Sequence, residues 1–361
     1  MPSANSGRAP WWAWTWPVLA LAVLAVHTTL RPGVPFAAAE AFALIATVFA
    51  AVYHAEVIAH RVGEPFGTLV LALAVTIIEV ALIVSMMITG GIDTAGLARD
   101  TVFAAVMIVC NGIIGLCILA GGVRHREQGF QFQGAQAALS VLIALTTLTL
   151  IFPNFTSTAA GPTFSSSQLV FAAIVSLILY GSFLFVQTVR HRDYFLPAGG
   201  GEEAHALPPT NRIALVSAGL LLVSLVAVVA LAKALTPTLE RGIAVVGAPR
   251  SVVGIVIAGL VLLPEGLAAY RAATANRLQT SMNLALGSVL ATIGLTIPAV
   301  ASVSMFLRRP LTLGLDAKEE LLLAVTLLVC LLTIGTGRTT VLQGIVHLVL
   351  FAVFLFFAVV P

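Results

Sequence analysis

The sequence predicts an all-α polytopic membrane protein of about 11 transmembrane helices, built as two inverted five-helix repeats behind one extra amino-terminal helix. Three observations carry that expectation. Charged residues make up only 9% of the 361 and apolar residues 59%, whereas soluble domains carry about 25% charged residues. Apolar runs long enough to cross a bilayer, which takes roughly 20 residues of helix, recur along the whole chain. And one pattern occurs twice: Glu56, Gly63, Pro65, Glu79 in EVIAHRVGEPFGTLVLALAVTIIEV, and Glu240, Gly247, Pro249, Glu265 in ERGIAVVGAPRSVVGIVIAGLVLLPEG.

Placed between charged or Gly/Pro breaks, the spans fall at 17–31, 37–60, 66–89, 101–121, 135–153, 168–190, 212–235, 250–270, 280–307, 320–335 and 340–360. The first lies between Pro17 and Pro32 behind Trp11, Trp12, Trp14 and Trp16, residues suited to an aromatic belt at the interface. The run 280–307 is long enough to be tilted or broken near Pro298. Residues 1–36 are therefore expected to form a tail and extra helix, 37–190 the first repeat, 191–211 a flexible connector, and 212–361 the second repeat. The connector's Asp193, Glu202, Glu203 and His205 read as solvated rather than cation-binding. Cys110, Cys117 and Cys330 sit in apolar runs without metal-ligand spacing and read as packing residues.

In both copies of the pattern seven residues separate Glu from Gly, and V-G-x-P follows; Pro to Glu is 14 residues in one and 16 in the other. With the first span set aside, the copies fall in spans two to three and seven to eight, so each repeat has five spans. An odd number forces the second copy to enter the membrane upside down, and Glu79 and Glu265 are then expected to meet near mid-membrane.

A buried acid needs a reason. An ionised carboxylate at the bilayer centre costs about 3 kcal/mol even on insertion-based scales, so it must be protonated, paired or bound to a cation. Apart from His54 and His60, beside Glu56, the interiors of the motif spans hold no Lys or Arg that could neutralise Glu79 or Glu265, Arg212, Lys233 and Arg250 standing at span ends. A permanently protonated acid bonding helix to helix explains one such residue better than two in equivalent places. The pattern thus points to ion transport. The fourth span (VCNGIIGLCILAGG) and the ninth (MNLALGSVLATIGLTIP) supply Asn111, Asn283, Ser288 and Thr292, with glycines that permit close helix approach. Oxygens of this kind suit hard cations, and Pro264, lacking a backbone donor, is expected to open its helix and free carbonyls near Glu265.

No H-E-x-x-H, G-x-S-x-G or Walker loop is present, which argues against an enzyme and a cofactor. A formal charge of +3 is too small to indicate nucleic acid. The expected partners are the lipid bilayer and the transported ions.

The stretches GEPFGTLVLALAVTIIEV, GGVRHREQGF and LVLLPEGLAAYRAATANRLQTSMNLALGSVLATIGLTIP resemble the calcium/cation antiporter superfamily, in particular its bacterial calcium/proton and sodium, potassium/proton members. The resemblance implies secondary exchange of calcium, sodium or potassium for protons. It matches Glu79 and Glu265 to the two ion-binding glutamates, Asn111 and Ser288 to polar positions of flanking helices, and Glu56 and Glu240 to acids near the cation entrance, with His60 beside that path. Two departures stand out. Many calcium/proton exchangers carry G-N-A-x-E around each acid, but here Thr76 and Leu262 occupy the asparagine positions; Met107 stands where a serine is common. Fewer hard oxygens leave sodium and potassium open beside calcium. A cation channel and a different proton-coupled transporter are the rival readings. Ten Lys and Arg on the amino-terminal side against eight on the other favour a cytoplasmic amino terminus.

Overall fold

The computed structural model describes residues 10–30, 36–63, 66–89, 95–196, 208–247, 249 and 251–360. Among them eleven helical segments follow one another: α1 Trp11–Leu30, α2 Ala37–Val62, α3 Phe66–Thr89, α4 Leu97–His125, α5 Phe132–Phe155, α6 Ser166–Arg190, α7 Asn211–Val246, α8 Ser251–Thr274, α9 Leu278–Leu307, α10 Ala317–Ile334 and α11 Val341–Val359. Ten of these are long and apolar enough to cross a membrane. The other, α10, opens on Lys318, Glu319 and Glu320. The spans expected from sequence are all present, most with ends shifted by up to four residues; α7 runs eleven residues past its expected end at 235.

Local chemistry sets those ends. Capping boxes start α6 (Ser165 with Gln168), α10 (Asp316 with Glu319) and α11 (Thr340 with Gln343), each satisfying amide groups that a helix start leaves open. The V-G-x-P glycines stop α2 and precede α8: Gly63 has φ 76° and Gly247 φ 71°, a left-handed conformation that glycine adopts without strain. Pro65 lies outside the described residues.

The first helix begins at Trp11 rather than at the expected 17, with Pro17 inside it. Proline has no N–H to give to the carbonyl four residues back, and that carbonyl, on Ala13, instead accepts from His54 Nε2 at 2.9 Å. The imidazole's Nδ1 lies 3.2 Å from Ser217 Oγ, so the hydroxyl donates to it. Pro264 likewise fails to open its helix, since α8 runs through it without interruption; only the Leu260 carbonyl loses its intrahelical donor. The long run 278–307 is accommodated by a π turn at Thr292–Thr296, just before Pro298, rather than by a break.

Two compact units divide the chain, Met1–Met86 with Gly201–Val245, and Met87–Gly200 with Val246–Pro361. Each draws on both of the halves expected from sequence. In the first unit α1 packs along α2, joined by T-shaped ring contacts of Trp12 with Tyr53 and Trp16 with Phe42. In the second, α4 is held between α8 and α11, and α9 packs on α5, α6 and α8. A short antiparallel pair, Glu127–Gly129 with Arg338–Thr340, ties the end of α4 to the start of α11.

Candidate functional site

Glu79 occupies the middle of the 24-residue α3 and is 2% exposed. Thr76, one turn earlier on the same face, is also buried. Glu265 occupies the matching place in the 24-residue α8, half-buried, with Leu262 buried one turn before it. The corresponding position is therefore a hydroxyl in one helix and an aliphatic chain in the other. The two acids belong to different compact units.

The two asparagines have engaged amides. Asn111 is fully buried in the π turn Ile108–Ile113 of α4. Its Nδ2 donates to Thr326 Oγ1 of α10 at 2.8 Å, and its Oδ1 lies 3.3 Å from His347 Nδ1 of α11. Asn283 donates to the Phe195 carbonyl at 2.6 Å and accepts from Gln279 at 3.0 Å. That contact anchors the start of the 191–211 connector, whose turn Arg192–Phe195 buries Phe195. Ser288 is half-buried in α9.

On α2, Glu56 and His60 are exposed one turn apart. The backbone of Glu240 belongs to α7, but its side chain lies outside the described residues, as do residues 197–207 with Glu202, Glu203 and His205. Asp193 is exposed. The three cysteines are free and buried.

Other polar groups escaped sequence reasoning. Glu40, 3% exposed in the first turn of α2, pairs with His27 in the last turn of α1. The signal was a histidine and an acid at the facing ends of two consecutive spans. A cavity of about 320 Å³ opens in the second unit beside Arg99, Asp100, Asp316, Lys318 and Glu319. Arg99 Nε donates to Asp100 at 2.8 Å and its Nη1 to the Gly314 carbonyl at 3.1 Å. Among the described residues no group of three or more His, Cys, Asp or Glu is placed to hold a metal ion.

Many apolar helices, two of them carrying a mid-helix carboxylate, define a polytopic membrane protein. The sodium/calcium exchanger protein family model matches residues 36–189 and 216–360, and the chain belongs to that family of secondary transporters. It is 49% identical over 360 residues to the putative ionic transporter y4hA of Sinorhizobium fredii, covering 99% of this chain and 98% of that one. It is 37% identical over 347 residues to the sodium-potassium/proton antiporter ChaA of Escherichia coli, covering 94% and 93%. Among solved structures it resembles native YfkE, at TM-score 0.74 and 16% identity, over 97% of this chain and 100% of that one. The H+/Ca2+ exchanger CAX follows at TM-score 0.68 and 15% identity, over 95% and 87%. The expected class, an all-α polytopic membrane protein, is thus the observed one.

Proposed function

We propose that this chain exchanges calcium, sodium or potassium for protons, with Glu79 and Glu265 as a shared carboxylate site opened alternately to each face of a bacterial cytoplasmic membrane. One observation supports this above the others. A carboxylate stands in the middle of each of two 24-residue helices, and each helix follows a V-G-x-P turn whose glycine takes a positive φ. Features of this kind, repeated as a pair, support a duplicated ion site better than two unrelated buried acids. The π turns of α4 and α9 fall in the corresponding third spans of the expected repeats, whereas those at Thr147–Ile151 and Val186–Arg190 have no counterpart in α10 or α11.

The chemistry follows from charge. Two ionised carboxylates carry −2, so one calcium ion or two protons each leave the site neutral, while the empty ionised site is costly in a low dielectric. Exchange is favoured over leak. Thr76 and Ser288 are the candidate neutral ligands. The amides of Asn111 and Asn283 are already used in protein hydrogen bonds. The name of the 37% identical relative, a sodium-potassium/proton antiporter, and the aliphatic Leu262 favour monovalent cations; the name of a 25% identical relative, a Ca(2+)/H(+) antiporter from Aphanothece halophytica, keeps calcium in the set. Glu56, Glu240 and His60 are assigned to the entrance path. The amino terminus is assigned to the cytoplasm, on the ten-to-eight balance of basic residues.

Proton movement in sealed vesicles, with calcium, sodium and potassium offered in turn, tests the proposal. Glu79→Gln and Glu265→Gln are each expected to abolish cation-dependent proton movement without loss of folded protein. Cation flux without countermoving protons would make the chain a channel, and normal exchange in either variant would remove that residue from the site.

A further inference from the structure

We infer that His347 is a positioning residue for the helix of Glu265, acting through Asn111 and the π turn of α4. The inference rests on the reading of Glu265 as an ion-binding acid. His347 is fully buried in α11. Its Nδ1 faces Asn111 Oδ1 at 3.3 Å and its Nε2 faces Thr333 Oγ1 at 3.0 Å, and the ring also bonds the backbone of Cys110 in the same π turn. A carbonyl oxygen only accepts, so Nδ1 carries the ring proton, and Nε2 accepts from the threonine hydroxyl. Asn111 Nδ2 then donates to Thr326 Oγ1 at 2.8 Å. The hydrogen bonds therefore run in one direction, Thr333 to His347 to Asn111 to Thr326. An amide does not take up and release protons in the working range, so this series cannot pass a proton along. It is a brace.

What it braces is an irregular turn. A π turn holds one more residue than an α turn and persists only where its surroundings hold it. On the α11 side, a Cβ added at Gly115 would lie 2.9 Å from His347 Cβ, and one at Gly112 would lie 3.3 Å from the Phe351 ring, so α4 and α11 touch closely there. On the α8 side, Ile113 Cδ1 reaches to 3.1 Å from where a Cβ of Gly266 would stand. Gly266 directly follows Glu265. Relaxing the π turn to an α turn would rotate the residues beyond it by about 100°. Ile113 would then leave Gly266, and the segment carrying Glu265 would lose its support.

The test uses the full-length protein in proteoliposomes, reading cation-driven proton movement with calcium, sodium and potassium. His347→Leu and Asn111→Leu are each expected to raise the half-saturating cation concentration by about tenfold, the worth of a buried hydrogen bond, with the maximal rate nearly kept. The double variant is expected to be no worse than either single one. His347→Asn, whose amide nitrogen stands where Nδ1 stood, should recover most of the affinity. Thr333→Val removes only the outer donor and should shift affinity in the same direction by less, which covers a failure of His347→Leu to fold. An additive double variant, an effect of Asn111→Leu with none from His347→Leu or Thr333→Val, or His347→Asn behaving as His347→Leu would each overturn the brace. Glu265→Gln is measured in parallel. Its normal exchange would sink the ion-site reading and this inference with it, whereas a dead Glu265→Gln beside additive brace variants sinks the inference alone.

Discussion

At residue 79 a carboxyl group with 2% exposure is shut away from bulk water, so the groups packed around it decide its chemistry, and Thr76 and Leu262 are the side chains one turn before the two acids. Thr76 supplies a hydroxyl there; Leu262 supplies nothing to Glu265. Calcium takes six to eight oxygens and favours charged and amide ones, so in the proposed site the aliphatic position, which brings none, limits affinity for calcium. Leu262→Asn adds an amide oxygen beside Glu265, and it is expected to raise the calcium preference over sodium and potassium in vesicle competition. Its cost in stability is about 1–3 kcal/mol, since Leu262 is 2% exposed and the new amide must find partners. An unchanged preference would show that residue 262 does not face the ion. The acids themselves were legible in the sequence because charge inside an apolar run is conspicuous. The partners of Asn111 and Asn283 were not. Which side of a helix an amide faces depends on the neighbouring helices, here α10 and α11 for one and the Phe195 turn for the other, and hydropathy carries no such information.

Helices were legible for the same reason as the acids: a run of apolar residues between breaks has one stable form in lipid. Their irregularities were not. The π turns in α4 and α9 and the strand pair at 127–129 and 338–340 change register without changing composition. Pro17 shows how a local defect is repaired by another element. It deprives the Ala13 carbonyl of a donor, and His54 of α2 supplies one. His54→Leu should therefore destabilise the protein by about 1–3 kcal/mol, because it leaves a buried carbonyl unsatisfied. Adding Pro17→Ala restores the intrahelical N–H and should recover most of the loss, although neither residue is close to the carboxylate of Glu79 in sequence. Thermal unfolding in detergent reads both steps, and a double variant as unstable as His54→Leu alone would refute the repair. Close packing offers a second test at this scale. At Gly344 a Cβ would lie 2.6 Å from the Leu119 nitrogen and 2.9 Å from its Cα. Gly344→Ala should force α11 away from α4 and lower the melting temperature, a change absent if the backbone contact is slack.

For the whole molecule, the duplicated V-G-x-P pattern was the most informative feature of the chain, and it allowed a transporter to be expected before any coordinates. The compact units nevertheless do not coincide with the two halves expected from the repeated pattern, each unit taking helices from both, because contacts follow space rather than sequence order. The charge accounting of the proposed site reaches beyond either. Two carboxylates that hold one calcium ion in one half-cycle and two protons in the other are neutral in both, so the loaded protein crosses each conformational change without moving net charge through the membrane field. A charge moved across 100 mV is worth about 2.3 kcal/mol, enough to change a rate several tens of times if it were moved in the slow step. Calcium-driven proton movement should therefore keep its rate when the membrane potential of proteoliposomes is clamped at zero or at 100 mV of either sign with gradients of a permeant anion such as thiocyanate, potassium and sodium being left out. Neutralising one acid changes the balance: in Glu265→Gln, any remaining calcium binding would carry a net positive site, and residual transport should become sensitive to potential. A strong dependence on potential in the unaltered protein would mean that ions and protons do not compete for the same two carboxylates, and the shared site would have to be abandoned.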